Sequence, residues 1–474
     1  MASAGRSAPL IFHMLIREID LRLPPETVFA AVHDRPHSFF LDSAQLAGGL
    51  GGWSFIGFDP FLIFRATGNE IALESEGRTE QVRGDPLTEL KRLFQRYRAP
   101  SAPPLPFAGG AVGYFSYEFG LRFEGIVPGC PDDPAKPEIE LGFYDTVLAF
   151  EHGTQRVFVA AGSLRREDEE AARRFEQIVR DALGRGPAGS GFHPASPAAE
   201  PHSNFSKPAY LAAVERIKEY IRAGDIYQAN LAQRFEAPLA CAPDELYRRL
   251  RRLSPAPFAA HLSFGPLQVM SSSPERFLQL RAGRVETRPI KGTRPRGATP
   301  AEDARRAREL WQSAKDRAEL LMIVDLERND LGRVCAYGSV QVDDPCRLES
   351  HPTVHHLVAT VSGTLRPGMD VFDCIRAAFP GGSITGAPKI RAMQIINELE
   401  TRRRHLYTGS LGYIGFDGSA DLNIAIRTIV CHAGRACYHV GGGIVADSVP
   451  EAEYEETLDK GRAMRAALCP PPAS

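Results

Sequence analysis

Short runs in which apolar and polar residues alternate dominate the first 160 residues of the chain. Runs of this kind lie at 62–65, 70–74, 144–150 and 156–161, with turn-forming residues between them. Alternation with a period of two predicts strands that bury one face. The segment 86–97 instead repeats its apolar residues at helical spacing, so we expect a helix there.

Paired apolar runs in the second half of the chain indicate hairpins, because each pair is joined by a two-residue turn. The pairs are 259–264 with 267–271, 277–281 with 284–288, and 424–432 with 435–440. Helical patterns occupy 208–223, 300–331, 370–377, 387–400 and 450–468. Hairpins form antiparallel pairs, so we predict an α+β fold with extended antiparallel sheet rather than a doubly wound parallel sheet.

A change in composition near residue 184 divides the chain. The charged helical pattern of 165–183 gives way to a stretch rich in Gly, Pro, Ser and Ala, which can bury little surface. Ser206 then provides a helix N-cap, followed by Pro208 in the first turn. We therefore predict an N-terminal region at 1–183, a flexible linker at 184–205 and a second region at 206–474.

Bulk composition excludes several classes of protein. The chain has 474 residues, 43% hydrophobic residues and a net charge of −2, which argues against a basic nucleic-acid-binding surface. It contains no apolar run of about 18 residues and no signal-peptide pattern. Its eight cysteines form no CxxC pair, which argues against a zinc or redox motif. We expect a reduced, cytoplasmic protein without a membrane partner.

Lys291 lies in a sequence that restricts its backbone. Pro289 precedes it and Gly292 follows it, with Pro295 and Gly297 further on, so we expect a stiff turn that aims the amine. A lysine in this setting could be a solvated surface charge, an anchor for an anion or a nucleophile.

Acidic residues with helical spacing form a second group of candidates. Glu319 lies four residues after Lys315, which also fits an ordinary ion pair on a helix. Glu453 and Glu456 share one face of the last helix. If Glu319 and Glu456 converge to about 4 Å, they repel by about 4 kcal/mol at an effective dielectric constant near 20. A hard divalent cation relieves this repulsion, and carboxylate ligands favour magnesium.

Arg427 and the glycines at 441–443 form a possible anion site. An arginine within an apolar strand is costly unless it meets a planar anion, and successive glycines can present backbone amides. The glycines are equally consistent with a plain turn. The loop at 381–389 lacks the spacing of a nucleotide-binding loop, and the pair His355-His356 fits a structural role.

Several ordered blocks together resemble the chorismate-utilising enzymes. This family includes component I of anthranilate synthase and of aminodeoxychorismate synthase, together with the isochorismate and salicylate synthases. The resemblance covers most of the chain and is strongest from Ser206 to Met464. The blocks lie at 272–276, 289–296, 325–332, 385–389, 424–428, 441–447 and 453–460.

The resemblance implies a large α/β sandwich of two packed antiparallel sheets surrounded by helices, with the two regions of the chain interwoven. It also implies a Mg²⁺ ion near the ring carboxylate of chorismate. Glu319 and Glu456 match the metal-ligand positions, with Glu453 nearby. Other matched positions bind the substrate: Arg427, Tyr407 and the backbone of Gly442 at one carboxylate, and His356 and Ser383 at the ring carboxylate and pocket.

Two positions separate the reactions of the family. Its water-adding members carry a lysine base where this chain has Gln228, which cannot activate water. At the position of Lys291, anthranilate synthases usually have alanine and aminodeoxychorismate synthases have lysine. In the reaction implied for the latter, the lysine adds to the ring while Glu275 acts as acid and base toward the 4-hydroxyl. Lys291 as a non-covalent anchor for charge remains an alternative.

The sequence also bears on where ammonia comes from and on whether the chain has the tryptophan-binding pocket of anthranilate synthases. No cysteine lies in a glutaminase-like nucleophile motif, so the resemblance implies a separate glutamine amidotransferase subunit, or free ammonia in its absence. No extra lyase segment follows Leu468, so we expect 4-amino-4-deoxychorismate as the product. Anthranilate synthases usually read Leu-Leu-Glu-Ser at their tryptophan pocket, where this chain reads Phe-Leu-Asp-Ser at 40–43.

Overall fold

Two large antiparallel sheets form the centre of the molecule. The computed structural model describes residues 13–45, 50–99, 104–131, 136–163, 168–186, 198–351 and 354–470. The strands in these residues are β1 (His13–Ile19), β2 (Ser38–Asp42), β3 (Trp53–Gly57), β4 (Leu62–Thr67), β5 (Glu70–Ser75), β6 (Arg78–Arg83), β7 (Gly110–Phe115), β8 (Ile139–Tyr144), β9 (Thr146–Glu151), β10 (Arg156–Ser163), β11 (His202–Ser203), β12 (Gln228–Pro238), β13 (Phe258–Phe264), β14 (Leu267–Ser273), β15 (Arg276–Arg281), β16 (Arg284–Arg288), β17 (Ile290–Pro295), β18 (Gln341–Ser350), β19 (Val354–Thr364), β20 (Gly386–Ala387), β21 (Ser410–Gly415), β22 (Ala420–Asn423), β23 (Thr428–His432) and β24 (Arg435–Ile444).

Helices cover the outer faces of these sheets. The helices in the described residues are α1 (Pro25–Val32), α2 (Pro86–Arg96), α3 (Tyr117–Leu121), α4 (Asp168–Arg185), α5 (Lys207–Arg222), α6 (Pro243–Leu253), α7 (Pro300–Gln312), α8 (Ala314–Gly332), α9 (Val371–Ala378), α10 (Lys389–Leu399) and α11 (Pro450–Leu468). No helix in this part of the chain is long and apolar enough to span a membrane.

Both predicted regions of the chain contribute strands to both sheets. The first sheet has the order β1-β10-β9-β3-β2-β13-β14-β23-β24-β12-β11, and β20 pairs with β12. The second has the order β17-β19-β16-β15-β22-β21-β7-β8-β4-β5-β6, and β18 pairs with β19. The two regions join where β2 pairs with β13 and where β7 pairs with β21. Half of the predicted linker, residues 187–197, lies outside the described residues.

The helices and the two sheets stack as four layers, and buried apolar residues fill the spaces between these layers. One cluster joins the facing sides of the two sheets and includes Phe39, Phe55, Val112, Tyr114 and Leu411. Other clusters lie between each sheet and its helices. Leu90, Leu320 and Ile375 pack on the second sheet, and Val28, Phe175, Leu246 and Met464 pack on the first. The predicted α+β sandwich of two packed antiparallel sheets is therefore confirmed.

The predicted hairpins at 259–271 and 277–288 are confirmed as β13–β14 and β15–β16. The prediction for 424–432 was wrong at its start. Strand β23 begins at Thr428, because Arg427 has a φ of 50° and interrupts the extended backbone. The run at 144–150 is likewise two segments, with Asp145 between β8 and β9.

The predicted single helix at 300–331 is two helices. Ser313 separates α7 from α8 with a ψ of 106°, and its side chain accepts a hydrogen bond from the N–H of Asp316 at 3.2 Å. Ser313 therefore caps the new helix. The break redirects α8 and brings Glu319 to the wall of a cavity.

Candidate active site

A cavity of about 780 Å³ lies between α8, α11, β17 and the ends of β23 and β24. Most of the predicted site residues line it, although they come from positions across nearly 200 residues of sequence. These lining residues are Glu275, Lys291, Glu319, His356, Ser383, Tyr407, Arg427, Glu453 and Glu456. Gly442 lies between two further lining residues, Gly441 and Gly443.

Lys291 lies in an edge strand rather than in the predicted turn. Strand β17 pairs with β19, and a bulge at Gly292 accounts for the glycine, whose φ is 71°. A side chain at Gly292 would also lie 2.9 Å from the Cβ atom of Asp316. The sequence predicted that a rigid turn would fix the direction of the Lys291 side chain. In the structure, a bulge in a strand fixes it instead.

The Lys291 amine points into the cavity. Its Nζ donates a hydrogen bond to the carbonyl oxygen of Ser383 at 3.1 Å. Burial lowers the pKa of Lys291, and the carboxyl groups of Glu319 and Glu275 offset part of this effect. A lowered pKa increases the fraction of neutral amine, which is the nucleophilic form.

Glu275 lies in the connection between β14 and β15, buried beside Lys291. Its Oε1 accepts a hydrogen bond from the N–H of Ile290 at 3.4 Å. Burial raises the pKa of Glu275, while the Ser383 hydroxyl and the Lys291 ammonium lower it in part. A carboxyl group with a raised pKa keeps its proton to a higher pH than a free glutamate does, which favours its use as a proton donor.

Arg427 is a cation that lines the cavity, where it could meet a ligand anion. No ion pair of the described residues involves Arg427, and Glu275 is the acidic residue whose charge acts on its guanidinium group. Burial lowers the pKa of Arg427, opposed by the charge of Glu275. Tyr407 stacks on His439 with a centroid distance of 5.1 Å, and its hydroxyl faces Gly441. Together Arg427 and Tyr407 can receive a carboxylate.

His356 is a neutral hydrogen-bonding group in the same cavity. Its Nδ1 lies 2.9 Å from the Oγ1 of Thr293. Burial lowers the pKa of His356 to about 3, and the positive charge of Arg427 adds to the effect. The paired strands β17 and β19 place Thr293 opposite His356, so their register sets this contact.

The three predicted metal ligands lie on α8 and α11. Burial raises the pKa values of Glu319 and Glu453, with Glu453 adding to the shift of Glu319. Burial also acts to raise the pKa of Glu456, but the ammonium groups of Lys460, Lys315 and Lys291 together outweigh it and the net shift is downward. A Cβ atom at Gly442 would lie 3.1 Å from Glu453 Oε2, so a larger residue there would press on that carboxylate.

This donor set fits an oxygen-preferring cation such as magnesium. It consists of carboxylates alone, and their repulsion is the kind that a divalent cation relieves. In the side-chain positions of the described residues, no three His, Cys, Asp or Glu groups are close enough to hold a metal ion. The three glutamates would have to close around an ion.

Gln228 lies behind the cavity wall rather than on its surface. It begins β12, pairs with Ala387 and is fully buried. A side chain at Gly443 would lie only 2.5 Å from its Nε2, so the amide packs directly behind that glycine. Neither Nε2 nor Oε1 of Gln228 has a hydrogen-bond partner within the described chain.

A buried ion pair behind the cavity was not predicted from the sequence. Arg404 bonds the carboxylate of Glu400 through Nε at 2.9 Å and Nη2 at 2.6 Å. It also donates to the carbonyl oxygens of Ile384, at 3.2 Å, and Asn230, at 2.6 Å. Arg404 therefore supports the segment that carries Ser383. The only sequence signal was the i, i+4 spacing of Glu400 and Arg404.

We expect Arg404→Met to lower the free energy of unfolding by about 3–5 kcal/mol, because it leaves Glu400 buried without its partner. Urea unfolding of the purified protein measures this change. The control is Arg376→Met, which breaks an exposed ion pair with Asp85 and should cost less than about 1 kcal/mol. Equal losses in the two variants would contradict the prediction.

Comparisons with known proteins identify relatives of this chain. The family model described as "chorismate binding enzyme" matches residues 38–466. Anthranilate synthase component 1 of Streptomyces coelicolor is 40% identical over 463 residues, covering 95% of this chain and 87% of the relative. Aminodeoxychorismate synthase component 1 of Escherichia coli is 40% identical over 441 residues, covering 92% of this chain and 94% of the relative.

Solved structures show the same architecture. Anthranilate synthase component I from Streptococcus pneumoniae is 32% identical with a TM-score of 0.77, covering 87% of this chain and 92% of that chain. MenF, the isochorismate synthase of Escherichia coli, shares the fold with a TM-score of 0.71 at 17% identity, covering 98% of this chain and 96% of that one. The chain belongs to the chorismate-binding enzyme family.

Proposed function

We propose that this chain is the chorismate-aminating component of aminodeoxychorismate synthase. It would convert chorismate and ammonia to 4-amino-4-deoxychorismate, the precursor of 4-aminobenzoate in folate biosynthesis. The observation that carries the proposal is the amine of Lys291, which is buried in the cavity with a lowered pKa beside Glu275. A lysine in this position suits a transferase that needs a nucleophile of its own.

The cavity holds polar residues that could bind both carboxylates of chorismate. Arg427 and Tyr407, with the backbone at Gly442, would hold the carboxylate of the side chain. The ring carboxylate would lie toward the glutamates, with neutral His356 and the Ser383 hydroxyl as hydrogen-bonding groups. Holding both ends orients the ring between Lys291 and Glu275.

The proposed reaction divides one substitution into two. Neutral Lys291 adds to the ring 2-position, the double bonds shift, and the 4-hydroxyl leaves as water with a proton from Glu275. Ammonia then adds at the 4-position, the double bonds shift back, and the bond from the ring to Lys291 breaks. Glu275 recovers a proton from the incoming nitrogen. The two protein groups that these steps use, Lys291 and Glu275, both line the cavity.

We propose Mg²⁺ as the cofactor, held by Glu319 and Glu456 with Glu453 nearby. When bound, the ion supplies positive charge for the ring carboxylate. The repulsion among these glutamates and the all-oxygen donor set support the proposal.

We propose that ammonia comes from a separate glutamine amidotransferase subunit. The amide of Gln228, packed behind Gly443, provides no base that could activate water, which supports amination over hydration. Free ammonium at high concentration would replace the partner in an assay.

Anthranilate synthesis is the second candidate, because relatives with that name are as similar to the chain as those named aminodeoxychorismate synthase. The stretch at 40–43 corresponds to the tryptophan pocket of anthranilate synthases. It reads Phe-Leu-Asp-Ser rather than Leu-Leu-Glu-Ser, so it gives this second candidate only limited support. Asp42 there is buried, accepting hydrogen bonds from Tyr247 and Arg251, beside a second cavity of about 360 Å³. Calorimetric titration with tryptophan that shows no heat would weaken this candidate.

Product identity tests the proposal. The chain is incubated with chorismate, Mg²⁺ and ammonium, and the separate lyase is then added before chromatography. We expect 4-aminobenzoate, and only when the lyase is present. Accumulation of anthranilate would establish the second candidate, and consumption of chorismate with neither product would exclude both.

A further inference from the structure

Lys460 lies among the proposed metal ligands and bonds one of them. It follows Glu456 by one turn of α11, and its Nζ lies 2.7 Å from Glu456 Oε1. The same Nζ donates a hydrogen bond to the carbonyl oxygen of Gly441 at 2.9 Å. Two contacts from separate elements therefore hold the ammonium group in one place.

The position of Gly442 shows how closely these groups converge. A Cβ atom built there lies 3.1 Å from Glu453 Oε2, 3.9 Å from Glu456 Oε1 and 4.0 Å from Lys460 Nζ. The ammonium group is thus close to two carboxylates that could hold a cation. A second lysine, Lys315, lies 3.9 Å from Glu319 on α8.

We propose that Lys460 is an internal counter-cation of this carboxylate cluster, and that a divalent cation binds only when Glu456 exchanges Lys460 for the metal. This inference rests on the proposed role of Mg²⁺. Glu456 is a proposed metal ligand whose Oε1 already lies 2.7 Å from Lys460 Nζ, and an ammonium group and a metal ion cannot share one coordination site. Lys460 therefore acts as a positioning residue that keeps Glu456 in place and weakens metal binding.

The consequence is an ordered assembly of the site. Without substrate, the metal must displace an ion pair and adds positive charge beside a lysine, which Coulomb repulsion opposes. Chorismate brings negative carboxylates that can pair with the released ammonium group. Metal affinity should therefore be low in the free protein and should rise when chorismate binds. By thermodynamic linkage, the metal should raise the affinity for chorismate by the same factor.

The test is calorimetric titration of the full chain with Mg²⁺ alone, in the absence of chorismate and ammonia. We expect Lys460→Met to bind Mg²⁺ about fivefold more tightly than the wild type, the gain expected from removing one partly exposed competing ion pair. The control is Lys207→Met. Lys207 bonds Glu455 at 2.8 Å with side-chain exposure of 46% and 59%, close to the 45% and 53% of the Lys460–Glu456 pair.

The possible outcomes test the role of Lys460 separately from the existence of the magnesium site. Unchanged or weaker binding by Lys460→Met would overturn the role of Lys460 while leaving the magnesium site in place. Absence of Mg²⁺ binding in every variant would overturn both. Equal tightening by Lys207→Met would show a general charge effect and would also overturn the role of Lys460. The product assay above is independent of these results, since it identifies the chemistry rather than the metal affinity.

Discussion

Lys291→Ala is expected to reduce formation of 4-amino-4-deoxychorismate by about 10³-fold or more, a loss of roughly 4 kcal/mol in transition-state stabilisation. The loss is expected to be large because, in the proposed reaction, Lys291 forms the bond that occupies the ring 2-position while the 4-hydroxyl leaves. With that position open, ammonia can add there directly. Any residual product of the variant is therefore expected to be anthranilate.

Chromatography of products at saturating ammonium measures both effects. Trapping the wild type with chorismate, followed by peptide mass spectrometry, should also place an adduct on the peptide that contains Lys291. The control is Lys207→Ala, an exposed lysine on α5 that should retain full activity. Undiminished amination at the 4-position by Lys291→Ala would show that the amine serves only as an anchor for charge.

Glu275→Gln is expected to lower kcat by about 10²- to 10⁴-fold, the usual contribution of a general acid–base group. The amide preserves the shape of the side chain and the contact with Ile290, so KM for chorismate should change little. Steady-state kinetics measured as chorismate consumption separate the two parameters. Glu309→Gln, which alters an exposed ion pair with Arg305, is the matched control.

The pH profile gives a second measure of the same residue. The rate should rise with pH as Lys291 loses its proton, at a lower pH than for a free lysine, because burial lowers its pKa. It should fall again as Glu275 loses the proton that it donates, at a higher pH than for a free glutamate, because burial raises its pKa. Glu275→Gln should lose the descending limb. Persistence of that limb would assign it to another group.

Local patterns of the sequence predicted the hairpins well, because both strands and the turn between them are close in sequence. The apolar alternation of 277–288 needs no distant partner to define its faces. The helical spacing of Glu453 and Glu456 likewise predicted that both face one side of α11, and both line the cavity. The carboxylate side chains at these two positions indicated a metal site, because few other side chains bind magnesium.

Features that depend on distant contacts were not predictable in the same way. Lys291 lies in a strand because β19 pairs with it, and the glycine and prolines around it resemble a turn when read alone. Ser313 breaks a continuous helical pattern by capping α8, although no helix-breaking residue is present. Arg427 leaves the extended conformation to direct its side chain into the cavity. In each case tertiary packing overrode local propensity.

The pairing of β7 with β21 has a consequence for the synthesis of the protein. Gly110 pairs with Gly415, so the second sheet cannot close until about 300 further residues have been made. At typical rates of 5–20 residues per second, the N-terminal strands wait about 15–60 s with an unpaired edge. The nascent chain therefore exposes an unpaired, aggregation-prone strand edge throughout that interval. The yield of folded protein in a cell should depend on chaperones that cover this edge.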